Sequence, residues 1–183
     1  ARRFRALDLP ADVIHLDIHY MDRYRVFTFS PQRFPRPPGM HDELRSLGFR
    51  TMAIVDPGVS AAPYPVHVAL KDGDMLLRRS DGRPYQGRVW PGVTVFPDFT
   101  QQRVREAWGR FHAPLVDAGV AGVWNDMNDP VFQAGKRHDP LGEDVHHRGV
   151  PHRRVRNLYA NQMAQATVSG LELLRPGVRP FVL

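Results

Sequence analysis

Three aspartates close three apolar runs in this chain: Val13-Ile14-His15-Leu16-Asp17, Thr51-Met52-Ala53-Ile54-Val55-Asp56 and Val120-Ala121-Gly122-Val123-Trp124-Asn125-Asp126. The last run goes on as Met127-Asn128-Asp129-Pro130, so a hydrophobic stretch stops abruptly among carboxylates and amides. Carboxylates brought to one rim can hold sugar hydroxyls, bind a hard metal ion, or serve as nucleophile and acid. A single aspartate after a strand ordinarily caps the next turn. Three in parallel register, with Trp90 and Trp124 nearby, point instead to a polyol site. A sugar ring offers apolar C–H faces to aromatic walls and a belt of hydroxyls to carboxylates.

Histidines supply the other candidate chemistry. His138, His146, His147 and His152 fall in one segment rich in Gly and Pro. Their spacing matches no helix-based metal signature such as H-E-x-x-H. The expectation is that they lie on the surface or order a loop, and that the protein takes no metal and no other cofactor.

These residues need elements to position them. The three runs, and a fourth begun by Arg179-Pro180-Phe181-Val182-Leu183, are nearly continuous in apolar character, as suits strands of a parallel sheet buried on both faces. Helical patterns separate them. Residues 38–47 carry Met40, Leu44 and Leu47 on one stripe, with Gly48 just beyond as a terminator. Residues 101–118 follow a candidate N-cap, Thr100, and space Val104, Trp108, Phe111 and Leu115 helically, with a kink expected at Pro114. Residues 154–175 place Val155, Leu158, Tyr159, Met163, Ala166 and Leu174 mostly on one stripe, ended by Pro176-Gly177. The order is β-α-β-α-β-α-β.

Two insertions break that rhythm, both after a strand's C-terminal end, where α/β proteins build their sites. Residues 57–100 hold an expected hairpin of 75–79 with 86–90 about an Asp81-Gly82 turn. Residues 130–152 read as an irregular loop. The phosphate-binding patterns G-x-G-x-x-G and G-x-x-x-x-G-K-[ST] are missing. That disfavours a nucleotide-binding open sheet and favours part of an eight-stranded barrel. Phe27, Phe29, Phe34, Trp108 and Phe111 read as packing residues.

Composition bounds the answer further. The 183 residues are 42% hydrophobic and 24% charged, ordinary values for a chain that folds around a core. No apolar run is long enough to cross a bilayer, so no membrane partner is expected. There is no cysteine, which fits a reducing, cytoplasmic compartment. The net charge of +6 raises the possibility of a nucleic-acid-binding module. The basic residues are nearly all arginine, with Lys71 and Lys136 the two lysines, and they are scattered along the chain. Genome-level bias explains that pattern better than a phosphate-binding face does, so no nucleic-acid partner is expected.

The motifs together resemble those of glycoside hydrolase family 31, the retaining α-glucosidases and their relatives. LDIHYMDRYRVFTFSPQRFP at 16–35, IVDPG at 54–58, VWPGVTVFPDFT at 89–100, WNDMNDP at 124–130, HRRVRNLYANQMAQAT at 152–167 and RPFVL at 179–183 are similar to the family's segments, in order. The resemblance implies an α/β fold: a partial (β/α)8 TIM barrel of about strands two to five, with a β-hairpin insertion after this chain's second strand. Residues 1–183 would be one partial catalytic domain, truncated at both ends.

Asp126 then matches the nucleophile, which attacks the anomeric carbon. Asp17 matches the carboxylate holding hydroxyls of the terminal sugar. Ile54, Trp90, Trp124 and Met127 match the pocket wall, with Asn128 and Asp129 in support. Against the family pattern, His19 replaces an acid, Asp129 a glutamate, Arg156 a histidine and Ala160 a glycine.

A retaining hydrolase needs two carboxyls, one as nucleophile and one as acid/base. The family's acid/base follows the fifth strand, outside these residues. Asp56 and Asp98 are the rim candidates for a substitute, and the family gives neither that role. The expected function is therefore that of a retaining α-glycosidase fragment, inactive alone and needing the rest of its catalytic domain. Its substrate would be an α-glucoside or oligosaccharide with a terminal α-linked glucose or related sugar. The departures leave a second reading, a non-catalytic carbohydrate-binding degenerate copy.

Overall fold

A computed structural model of the chain describes residues 1–132, 142 and 144–183. The elements in order are α1 (Arg2–Ala6), β1 (Val13–Leu16), α2 (Pro37–Ser46), β2 (Arg50–Val55), β3 (Val59–Ser60), α3 (Pro65–Asp72), β4 (Gly87–Val89), β5 (Gly92–Val95), α4 (Gln102–Arg110), α5 (Ala113–Ala118), β6 (Gly122–Asn125), β7 (His146–His147), β8 (Val150–Pro151) and α6 (His152–Leu174). Two short 3-10 turns, Ile18–Tyr20 and Asp22–Tyr24, follow β1.

The central sheet is parallel in the order β1-β2-β6. Residues 181–183 extend it. The amides of Val123 and Asn125 donate to the carbonyls of Phe181 and Leu183, and Leu183 N–H donates back to Val123. Every residue of β2 after Arg50 is buried, because sheet neighbours flank it and helices cover it. Sequential parallel strands demand crossovers, and α2, α4–α5 and α6 supply them.

Local chemistry sets these helices. Two prolines open α2, where their missing N–H groups go unmissed, and Gly48 in the left-handed region (φ 78°) follows its end. The kinked helix expected over 101–118 is instead two helices. Pro114 stands in the first turn of α5, where proline starts a helix more readily than it bends one. Nor does Thr100 cap α4. Its amide and hydroxyl both donate to Asp98, and the helix starts after Gln101 with no side-chain cap. α4 packs along α6 at a point of backbone contact: a Cβ added to Gly170 would lie 2.3 Å from the Cα of Gly109.

The 57–100 insertion folds as a three-stranded antiparallel sheet, β3-β5-β4, with α3 between β3 and β4. Its hairpin differs from the expected one. β4 and β5 pair Val89 with Gly92 about a two-residue turn, Trp90-Pro91. The Asp81-Gly82 turn also forms, with Arg79 N–H bonded to the Arg83 carbonyl, but it closes only isolated bridges such as Arg78 with Pro84. Leu77 donates to the carbonyl of Phe96, so the 75–79 stretch leans on β5's continuation rather than on β4.

The core gathers under this insertion and behind the sheet. Phe27 and Phe99 meet Trp108 edge-on at 4.9 and 5.2 Å, and Phe96 meets Phe132 at 4.9 Å. Phe27 and Trp108 are thus buried packing residues, and Phe29, Phe34 and Phe111 pack against the same core.

Candidate active site

Register places the carboxylates. Val55 lies opposite Asn125, so Asp56 and Asp126 leave β2 and β6 at the same level. The ladder continues there, with Asp126 N–H donating to the Val55 carbonyl at 3.3 Å. Side chains alternate along a strand, so residues two apart share a face. Ile54 and Asp56 on one strand, Trp124 and Asp126 on the next, and His15 and Asp17 on β1 therefore form one set. Direct contact across it is seen where His15 meets the Trp124 ring edge-on at 6.2 Å.

The opposite parity faces the helices. Asn125, one residue before Asp126, turns to α6 and accepts a hydrogen bond from Thr167 Oγ1 at 3.2 Å. It is thus directed away from Asp126, because successive strand residues point opposite ways.

The three carboxyls differ in setting. Asp17 is exposed and caps the 3-10 turn after β1, accepting from Ile18 N–H at 2.6 Å. Asp126 is half-buried. Asp56 is 4% exposed, and its Oδ1 has no hydrogen-bond partner among the described residues. Burial, then the charges of Asp126 and Asp17, push the Asp56 carboxyl up to about 7. The buried Tyr20 hydroxyl beneath them donates to the Ile54 carbonyl at 2.9 Å, and burial and Asp56 raise it well above its ordinary value.

A second wall comes from the insertion. Trp90, at the tip of the β4–β5 hairpin and half exposed, donates its indole N–H to Met127 Sδ at 2.9 Å. Met127 has φ 52°, a left-handed conformation that costs a non-glycine residue about 1–2 kcal/mol. The chain is thus turned sharply right after Asp126. Asn128 is half-buried, and Asp129 is exposed with no side-chain hydrogen bond among the described residues.

Asp98 is not on the rim. It is 1% exposed and accepts from Thr100 Oγ1 (2.6 Å), Gln101 Nε2 (3.0 Å) and His147 Nδ1 (2.9 Å). Burial alone would raise its carboxyl, but these donors outweigh burial and hold it below its ordinary value. A buried carboxylate of this kind cannot be a substitute acid.

The network continues beyond Asp98, since His147 Nε2 lies 2.8 Å from His152 Nδ1. Asp98 can only accept, so His147 carries a proton on Nδ1 and donates it. Two of the four histidines, His147 and His152, therefore tie the loop to Asp98 and to the start of α6 from buried positions, and His146 pairs with Arg78 through its backbone. His138 lies outside the described residues. Among the described residues no three His, Asp or Glu side chains are grouped to hold a metal ion. This network was missed in the sequence because its members are 49 residues apart; the histidine-rich segment was its one visible sign.

An exposed and a half-buried carboxyl beside a buried one pushed above its ordinary value, with an indole and a thioether close by, can grip a polyol and offer one carboxylate to an electrophilic carbon.

Comparison with known proteins gives the family. The family described as glycosyl hydrolases family 31 TIM-barrel domain matches residues 1–183. Alpha-glucosidase 2 of Bacillus thermoamyloliquefaciens is 43% identical over all of this chain and 24% of its own length. Human neutral alpha-glucosidase AB is 39% identical over 96% of this chain and 19% of its own. Among solved structures, glucosidase II alpha subunit bound to Glc1Man2 superimposes with TM-score 0.88 at 32% identity, covering 99% of this chain and 20% of that one. The family 31 alpha-glucosidase of Bacteroides thetaiotaomicron gives 0.83 at 35%, covering 100% and 29%. The chain thus spans a quarter or less of the length of these two curated relatives.

Proposed function

This chain belongs to glycosyl hydrolase family 31, and from that premise we propose that it is part of the catalytic barrel of a retaining α-glycosidase acting on a terminal α-linked glucose or a related sugar. The observation that carries the reading is the level register of Asp56 and Asp126 beside the Trp90–Met127 wall, at the C-terminal ends of parallel strands.

In this mechanism Asp126 is the nucleophile. Its carboxylate attacks the anomeric carbon as the glycosidic bond breaks, through an oxocarbenium-like transition state, and a covalent glycosyl-enzyme forms. A general acid protonates the departing oxygen and, as a base, later activates the water that releases the sugar. No carboxyl of these 183 residues is assigned that acid/base role, so the domain works together with the remainder of its barrel. Asp17, the most exposed of the three, holds sugar hydroxyls. Ile54, Trp90, Trp124 and Met127 form the apolar wall, and the left-handed turn at Met127 presents Asp126 to the pocket, with Asn128 and Asp129 in support.

The test is Asp126→Ala in the full-length protein. Turnover of an aryl α-glucoside is expected to fall by about a thousandfold or more, with glucose binding retained in calorimetry. Unchanged turnover would remove Asp126 from the reaction. Glucose binding with no turnover even in the unmutated full-length protein would establish a carbohydrate-binding relative instead.

A further inference from the structure

The glycosidase reading leaves Asp56 unused, yet this carboxyl is the most constrained of the three. Asp56 and Asp126 are level on adjacent parallel strands, and their side chains share a face. Neighbouring strands lie about 4.8 Å apart, so two short carboxyls placed this way are within reach of one shared proton. One Asp56 oxygen is buried with no hydrogen-bond partner among the described residues. A charged carboxylate there would keep a desolvated oxygen without a donor, which disfavours the charged form.

The groups that face Asp56 from its neighbours all oppose a second negative charge or leave it uncompensated. Asp17 comes from the end of β1 and Asp126 from the end of β6, and the Tyr20 hydroxyl is engaged with the Ile54 carbonyl. Among the described residues, no arginine, lysine or histidine pairs with Asp56.

We propose that Asp56 is a positioning residue for Asp126: an uncharged carboxylic acid that shares its proton with the neighbouring carboxylate and fixes which oxygen of Asp126 is free to attack. The inference rests on the reading of Asp126 as nucleophile. No net proton is gained or lost when attack occurs. The Asp126 oxygen that bonds to carbon is the one not engaged with Asp56, and the shared proton stays on Asp56 as the Asp126 charge is consumed. The value of about 7 for Asp56 marks the pH above which this arrangement is lost. With Asp56 ionised, two adjacent carboxylates repel and Asp126 loses its orienting donor.

The experiment uses the full-length protein and α-glucosyl fluoride, whose leaving group needs little help from a general acid. The value of kcat/KM, which reports formation of the glycosyl-enzyme, is followed across pH from about 5 to 9. The unmutated protein is expected to lose activity through an ionisation near 7. Asp56→Asn, which keeps a neutral donor beside Asp126, is expected to lack that ionisation and to rescue most of the roughly tenfold or greater loss seen in Asp56→Ala.

The inference is overturned if the ionisation persists in Asp56→Asn, or if the unmutated protein shows none because a cation elsewhere in the barrel keeps Asp56 charged. Asp56→Ala as active as the unmutated protein would also overturn it. Should Asp56→Ala fail to fold, the Asp56→Asn profile decides by itself. Asp126→Ala separates the two readings. Activity surviving in that variant defeats the nucleophile assignment, whereas its loss with an unaltered Asp56→Asn profile defeats only the present inference.

Discussion

At the scale of single residues, the Asp56 proton ties stability to pH. Its folded value is about 7, against an ordinary 3.8 for an exposed aspartate. Between these values the folded protein keeps a proton that the unfolded chain releases, so stability falls as pH rises from about 4 to about 7 and is level above that. Asp56→Asn carries no such penalty. Its full-length protein is expected to melt higher than the unmutated one at pH 8, by an increment on the order of 2–4 kcal/mol. The gap should vanish near pH 4; an equal gap at both pH values would mean that Asp56 is not held neutral. The trio of aspartates was legible in the sequence because each closes an apolar run and the strand period does the rest. The fate of Asp98 was not. Its aspartate looks like the others in sequence, but His147 reaches it from 49 residues away and the insertion buries it, which no local pattern encodes.

At the scale of elements, the outer layer depends on one close approach. α4 and α6 touch where Gly109 faces Gly170, and a methyl on Gly170 would fall 2.3 Å from one Cα and 2.5 Å from a carbonyl oxygen. Backbone cannot yield as a flexible side chain does. Gly170→Ala is therefore expected to force the helices apart and to cost about 1–3 kcal/mol. Chemical denaturation checks this, and a midpoint equal to the unmutated protein's would show that the helices part freely. The helices themselves were readable from their apolar stripes. Their partners were not, since a glycine inside a helical pattern announces weakness and not contact. The hairpin was half readable: Asp81-Gly82 is the stronger turn sequence, yet the ladder forms about Trp90-Pro91, because β5 must also pair with β3.

At the scale of the whole molecule, among the described residues no strand pairs with the outer edge of β1 or of residues 181–183. Val13, Val178, Phe181 and Leu183 are exposed apolar residues, Phe181 by 60% and Leu183 by 63%. Arg50 and Arg175 share a hollow with Val13, Met52 and Phe181 at the base of the strands. Such a face and such edges invite pairing with another chain. Residues 1–183 expressed by themselves are expected to self-associate and to show no turnover of an aryl α-glucoside. Sedimentation giving a clean monomer across concentrations, or measurable hydrolysis, would contradict that. The positive charge has a plainer fate. Arginines at 2, 25, 45, 78, 79 and 83 each pair with a nearby acid, so these six are locally neutralised. The parallel order was legible in the sequence; the openness was implied by it, since four parallel strands cannot close.

The contact between Trp90 and Met127 carries a consequence for redox chemistry. The indole N–H ends on a half-exposed thioether, one residue after the proposed nucleophile. Mild peroxide converts a thioether to a sulfoxide, adding an oxygen and a strong dipole at that spot. The hairpin tip would then be displaced from the pocket wall, or held to it by a tighter bond in a new position. On the proposed function, sugar binding would thereby become sensitive to oxidants in a chain that has no cysteine to absorb them, and methionine sulfoxide reductase would restore the thioether.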